Sequence, residues 1–185
     1  MNRNLPIAIL IMLNLGAGPV SIAQTVKTRS GQTEFSSKAA GPARDIYAID
    51  KTGEVSLNLE TGQLEVKIHM KNFTLPVSLM QKHYNQRYMH TDKFPHAYFK
   101  GRVLNWKQSL SDGSYQVEAE GDFTVHGVTR HRKFEGILLK NGDEYQLKAE
   151  FVTRLEDHQI EIPVLFFTRI TEAVNVKVQY NLSPD

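Results

Sequence analysis

Val117-Glu118-Ala119-Glu120-Gly121-Asp122-Phe123-Thr124-Val125 alternates small or apolar residues with charged or polar ones at every step. A period of two puts Val117, Ala119, Gly121, Phe123 and Val125 on one face of an extended chain and the acids on the other. The stretch reads as a strand with one buried and one wet face. The pattern repeats in both directions. Upstream, Leu64, Val66, Ile68 and Met70 oppose Glu65, Lys67, His69 and Lys71. Downstream, Tyr145, Leu147, Ala149 and Phe151 oppose Gln146, Lys148 and Glu150, and Val174, Val176, Val178 and Tyr180 oppose Asn175, Lys177 and Gln179. One-sided burial of this kind belongs to antiparallel sheets.

Glycine-centred turn signals separate the runs: Lys51-Thr52-Gly53, Glu60-Thr61-Gly62, Ser111-Asp112-Gly113, Asn141-Gly142-Asp143 and, more weakly, His126-Gly127. The runs amount to about eight or nine strands, most joined to their sequence neighbour. A sheet that long in a small domain must curl into a barrel or split into a sandwich. Ser36 to Arg44, rich in small residues, reads as a long loop. One stretch leaves the pattern. From Val77 to Met89, Met80, Tyr84 and Tyr88 recur at helical spacing, with Pro76 suited to the first turn and Thr74 to the cap. The expected fold class is all-β, an antiparallel barrel of about eight strands with one inserted α-helix.

Residues 1–23 address the chain rather than fold it. Arg3 precedes the apolar run Ile7 to Leu13, Gly16, Gly18 and Pro19 break it, and Ser21-Ile22-Ala23 offers a small-x-small cleavage site. The expectation is a signal peptide removed after Ala23, because the apolar run is well short of the ~20 residues that span a bilayer. Removing residues 1–23 from 185 leaves 162, one domain with a substantial core. Loss of Arg3 lowers the formal charge from +2 to +1, which speaks against nucleic acid as a partner. With no cysteine in the chain, disulfides, thiolate metal sites and a lipid-modified N-terminal cysteine are excluded.

The helix runs into Leu79-Met80-Gln81-Lys82-His83-Tyr84-Asn85-Gln86-Arg87-Tyr88-Met89, followed by Thr91-Asp92-Lys93-Phe94-Pro95-His96-Ala97-Tyr98-Phe99-Lys100-Gly101. Later come Gly121-Asp122-Phe123-Thr124-Val125-His126-Gly127-Val128-Thr129-Arg130 and a tail from Phe151 through Ile160-Glu161-Ile162-Pro163 to Val178. In this order the segments resemble the YceI-like family, in a compact form with a shortened opening region. The resemblance implies a lipocalin-like barrel, exported to the periplasm or secreted. It also implies an apolar lipid or polyisoprenoid ligand and no catalytic constellation. Dimers occur among members, so a homodimer is an expected partner, and a lipid carrier would touch membranes in passing.

The residues themselves leave two readings of the interior open. Leu64, Val66, Ile68, Met70, Phe99, Phe123, Phe134, Leu147, Phe151 and Val176 are the large inward candidates, with Ala119 and Gly121 as small ones and Met80 and Tyr84 on the helix. Gly101, Gly136 and Ala149 share those faces. Small inward residues either leave a tunnel for one slim apolar chain or let the walls close on neighbouring aromatics. The second reading makes the protein a non-catalytic interaction module with a filled core.

Other chemistry is weakly signalled. The seven histidines include His83, His90, His96, His126 and His131, but none has metal-ligand spacing, and they read as solvated. Arg130-His131-Arg132-Lys133 reads as a basic run on a wet strand edge, discouraging edge pairing. Glu118/Glu120 and Asp50/Glu60 show no acid–base pattern, and the inward phases hold almost nothing polar beyond Tyr145 and Tyr180. No enzyme activity, cofactor or metal is expected.

Overall fold

In the computed structural model, the described residues are 25–37, 39–40, 45–161, 169–170 and 172–184. The expected signal peptide and its cleavage site lie outside them. The thirteen residues of β1 (Thr25–Ser37) pair antiparallel with β11 (Ala173–Pro184), from Val26↔Pro184 to Ser36↔Asn175. On its other side β1 meets β3 (Ile46–Asp50) and then β4 (Glu54–Asn58). From β4 the sheet continues through β5 (Gln63–His69), β6 (His96–Val103), β7 (Gly113–Val125), β8 (Val128–Asn141) and β9 (Glu144–Arg154) to β11. Because β11 returns to β1, the sheet closes. β3 and β4 occupy successive lengths of one wall position, which makes this a closed, eight-stranded antiparallel barrel. β2 (Ala39–Ala40) and β10 (Arg169–Ile170) form a separate two-stranded ribbon.

Several local expectations are corrected. Lys51-Thr52-Gly53 is not a hairpin but a break within one wall position. There Asp50 Oδ1 accepts the Thr52 N–H at 3.0 Å and its hydroxyl at 2.6 Å, and a Cβ on Gly53 would lie 2.1 Å from the Tyr180 hydroxyl. Ser36 and Ser37 belong to β1, and Ala39–Ala40 is a strand, so the loop from Ser36 is shorter than its composition suggests. Ser111-Asp112-Gly113 ends a longer connection after β6. His126-Gly127 is a two-residue hairpin turn with both φ values positive, 52° and 76°; this backbone geometry matches the twist of the strands it joins.

The helix is shorter than its periodicity predicts. α1 (Ser78–His83) passes into a five-residue π turn, Tyr84–Tyr88. Neither Thr74 nor Pro76 starts it. Val77 occupies the N-cap without a side-chain bond, and Thr74 is instead bridged to Ile49 of β3. Gln81 ties the approach down, accepting from the Leu75 N–H and donating to the Phe73 carbonyl, both at 2.9 Å.

The two ends of the barrel differ. At the end carrying the 59–62 and 141–143 turns, Val26, Leu57, Leu138 and Leu182 are essentially inaccessible, and Tyr180 closes the layer above them. Trp106 lies over Gly62 there, donating to the Leu59 carbonyl at 2.8 Å. This end is plugged. At the opposite end, beneath α1 and the β7–β8 turn, inward Phe123, Phe134, Phe151, Val176 and Val178 are only half-buried. The wall also parts there, since β8 and β9 are laddered only from Gly136↔Ala149 to Asn141↔Glu144. Beyond that, Arg132 donates to the Val152 carbonyl at 3.2 Å and Arg130 to the Asp157 carbonyl at 2.9 Å.

Candidate functional site

The open half of the barrel encloses a cavity of about 510 Å³, within the range of small-molecule sites. Its position follows from strand period: inward residues of every wall strand converge where no side chain is long enough to reach across. β5 and the turn after it supply Leu64, Val66, Ile68 and Met70, β6 supplies Phe99, and β7 supplies Ala119 and Phe123. Phe134 of β8, Leu147 and Phe151 of β9 and Val176 of β11 complete the wall, and Met80 and Tyr84 reach in from the helical segment.

Gly121 is the exception. It faces Gly101 across the β6–β7 ladder, and a Cβ on Gly121 would lie 2.3 Å from the Lys100 carbonyl and 2.4 Å from Gly101 Cα. The Phe99 ring covers Gly101, 2.7 Å from where its Cβ would stand. This glycine pair therefore closes the wall rather than opening space. Gly136, Ala149 and Ala119 do face the cavity. The two readings of the small residues thus divide along the barrel, one for each group.

An aromatic chain forms one side of the cavity. Phe99 meets Phe134 edge-on at 5.5 Å, Phe134 lies 4.4 Å from Phe151, and Phe123 contacts both Phe134 and Phe151. On the other side Phe35 stacks on Tyr84 at 5.6 Å and packs against Phe73 at 5.0 Å.

The polar lining corrects the expectation that little but Tyr145 and Tyr180 faces inward. Those two are buried away from the cavity, whereas Thr33, Thr153 and His158 line it. Thr33 stands two residues before Phe35 in β1, so its inward phase is visible in the sequence once β1 is assigned. His158 ends a single 3-10 turn after β9, Glu156–His158, too short to show a periodicity that would betray it. Nor is it solvated: it is 1% exposed and meets Phe123 edge-on at 5.2 Å. Its Nδ1 lies 3.1 Å from the Val128 carbonyl, so Nδ1 carries the proton and Nε2 is a bare acceptor without a partner. Tyr84 is 5% exposed, and its buried hydroxyl has no hydrogen-bond partner.

Of the remaining histidines His83 also lines the cavity, while the others and the basic run sit elsewhere. His90 Nδ1 and His126 Nε2 are 3.0 Å apart beside Phe94, and among the described residues no three His, Asp or Glu side chains converge to hold a metal. The basic run is split by strand phase. Arg130 and Arg132 share the face of Phe134 at the parted wall. His131 on the outer face meets Asp122 at 3.0 Å, and Lys133 meets Glu118 at 3.1 Å.

Burial lowers the proton affinity of His158, with the Val128 bond opposing it, and burial likewise lowers that of His126. Both are neutral in the folded barrel at neutral pH, so their contribution is complete above the ordinary value of 6.5. As pH falls from there through the lowered folded values, the unfolded chain takes up protons first and stability is lost. The urea midpoint is expected to drop between pH 7.5 and pH 5. In His158→Asn, which can still donate to the Val128 carbonyl, the drop should be smaller; an unchanged profile would remove His158 from the account.

Comparison with known proteins adds the following. The family model for the YceI-like domain matches residues 22–182. No curated protein matches the chain. A polyisoprenoid-binding domain from Saccharophagus degradans superposes with a TM-score of 0.75 at 11% identity, over 88% of this chain and 99% of that one. BcnA of Burkholderia cenocepacia superposes with a TM-score of 0.63 at 11% identity, over 82% of this chain and 95% of that one. At such identities the likeness is one of fold.

Proposed function

The chain belongs to the YceI-like family, and on that premise we propose that it is a lipid-binding protein which holds a polyisoprenoid or similar long apolar chain in its barrel. The observation that carries this reading is the cavity itself, ringed by Phe99, Phe123, Phe134 and Phe151 and plugged at one end. A flexible chain needs no directional bonds along most of such a wall. Each buried methylene contributes roughly 0.8 kcal/mol, so ten of them outweigh a substantial ordering cost. The fold similarity to a polyisoprenoid-binding domain supports the same ligand class.

The protein serves transport or storage outside the cytoplasm, with residues 1–23 removed on export; the Arg3 to Ala23 pattern supports this. Purified from its native host without detergent, the full-length gene product should yield a chain starting at Gln24 and an extractable lipid in near-stoichiometric amount. Mass spectrometry reads both. A lipid-free protein that also takes up no prenyl chain in vitro would defeat the binding reading, and a chain retaining Met1 would defeat the export reading.

A further inference from the structure

The outer surface of the barrel is not uniform along its axis. Among the described residues four large apolar side chains are exposed: Tyr47, Val77, Leu79 and Val152. Single exposed apolar residues are ordinary on protein surfaces, but these four share one end. Val77 caps α1 and Leu79 lies in its first turn, the most exposed of the four at 61%. Tyr47 follows Ile46, a cavity residue, at the open end of β3. Val152 lies between the cavity residues Phe151 and Thr153, where β9 has left β8. Among the described residues the plugged end carries none.

The helical segment has two faces. Met80, His83 and Tyr84 line the cavity, whereas Val77, Ser78, Leu79 and Lys82 are exposed. It therefore forms a rim of the mouth that is apolar inside and out. The charge left over on this segment is positive. Between Glu65 and Asp92 the chain has no acidic residue. Lys71 is matched to Asp92 at 3.3 Å. Lys82 and Arg87 are exposed and have no ion-pair partner among the described residues. On the walls, by contrast, Lys133 meets Glu118 at 3.1 Å and Lys177 meets Glu150 at 3.4 Å. Of the acids at the open end, Glu156 and Glu172 are held by Arg154, and Glu34 by the Tyr47 hydroxyl.

We propose that this rim is a membrane-docking surface: Val77 and Leu79 enter the head-group region of an anionic bilayer, and Lys82 and Arg87 meet the lipid phosphates. The inference rests on the lipid reading above, and it adds where the cavity is loaded and emptied. Exposed apolar side chains flanked by unpaired cations are the elements of interfacial attachment. Docked in this way, the mouth opens against the bilayer. A prenyl chain then passes Met80 into the barrel without exposing its methylenes to water. A stable protein partner needs about 800 Å² on each side, far more than two apolar side chains and two cations offer. A bilayer sets no such requirement.

The test uses the gene product purified from its host and vesicles of phosphatidylcholine, either alone or with about a third phosphatidylglycerol. The protein should float with the anionic vesicles and stay behind with the neutral ones. Leu79→Glu should weaken the anionic binding at least ~10-fold, since an acid replaces an inserted apolar side chain. Lys82→Gln combined with Arg87→Gln should weaken it by about fivefold for each cation removed. These positions are exposed and outside the cavity lining. The thermal midpoint, and the affinity for geranylgeraniol titrated calorimetrically without vesicles, should therefore stay at wild-type values. Leu79→Trp supplies a second readout. The single tryptophan, Trp106, lies at the plugged end, so wild-type emission should not change with vesicles, whereas the added indole should shift to shorter wavelength.

Anionic binding that survives Leu79→Glu in the folded protein would overturn the docking surface. So would a wild type that binds neither vesicle, which would leave the rim to a protein partner. Equal binding of neutral vesicles would overturn the assignment to an anionic surface. Each of these results, with geranylgeraniol still bound, leaves the lipid reading intact. Docking without any uptake of geranylgeraniol would defeat the lipid reading and, with it, the loading role. Should Leu79→Glu fail to fold, the Lys82→Gln, Arg87→Gln pair still decides.

Discussion

Ala149→Phe is expected to weaken binding of a twenty-carbon prenyl chain by about a thousandfold while the protein stays folded. Ala149 faces the cavity from β9, paired with Gly136 on β8, and its Cβ lies 3.4 Å from where a Gly136 Cβ would stand. This is the thin part of the wall, with two of the smallest side chains adjoining the largest space. A phenyl ring there would project toward Phe134 and Phe151 and take the volume that the ligand needs. Displacing roughly five methylenes forfeits about 4 kcal/mol, which is the thousandfold loss. Filling an existing void does not require the surrounding packing to give way, so the thermal midpoint should hold or rise. Isothermal titration beside a melting curve separates the two quantities. Unaltered affinity in a folded variant would mean that the chain lies somewhere other than this cavity.

Tyr180→Ala is expected to bring the barrel close to unfolding. The ring is 1% exposed in β11, against the backbone of Gly31 and Gly53, where any Cβ would collide with it. Removing a buried aromatic ring costs about 3–5 kcal/mol. The Thr33 hydroxyl then loses its 2.8 Å partner in a buried place, which adds roughly 1–3 kcal/mol. The sum rivals the 5–15 kcal/mol that typically separates folded from unfolded domains, and scanning calorimetry should show a midpoint lower by at least ~10 °C. Tyr180→Phe keeps the ring and should cost only about 1 kcal/mol. If the two variants melt alike, the ring is not the keystone of this layer. Burial and the nearby Asp50 charge push the Tyr180 phenol up, against the Thr33 bond, to about 12, so its proton stays through the ordinary pH range.

The wall strands were legible because one-sided burial writes itself into a period of two. β5, β7, β9 and β11 could be phased residue by residue, and with that phase came the identity of Phe123, Phe151 and Val176 as inward. What could not be read were features set by contacts across the barrel. Gly101 and Gly121 look like space-makers in a single strand, and only the ladder that sets them face to face shows that they let backbones approach. The full burial of Asp50 has no local signal, because nothing in the sequence reveals that β3 and β4 share one wall position. His158 lies in a non-periodic turn, so its burial depends on Val128 and Phe123, which are distant in sequence. The helix failed at its C-terminal part, where the spacing of Tyr84 and Tyr88 is served by a π turn as well as by an α-helix.

β1 finds its hydrogen-bonding partner across almost the whole chain, Val26 against Pro184 and Ser36 against Asn175. A ring of strands joined in this way has no stable half-built form with both walls satisfied. During synthesis the β11-facing backbone of β1 waits for residues 173–184, and the cavity has no fourth side until they arrive. Pairings this distant carry a large loop-closure cost before any contact repays it, which places folding in the milliseconds-to-seconds regime. The container therefore forms late and in one cooperative step, and whatever occupies it is taken up by a finished barrel or at the moment of closure.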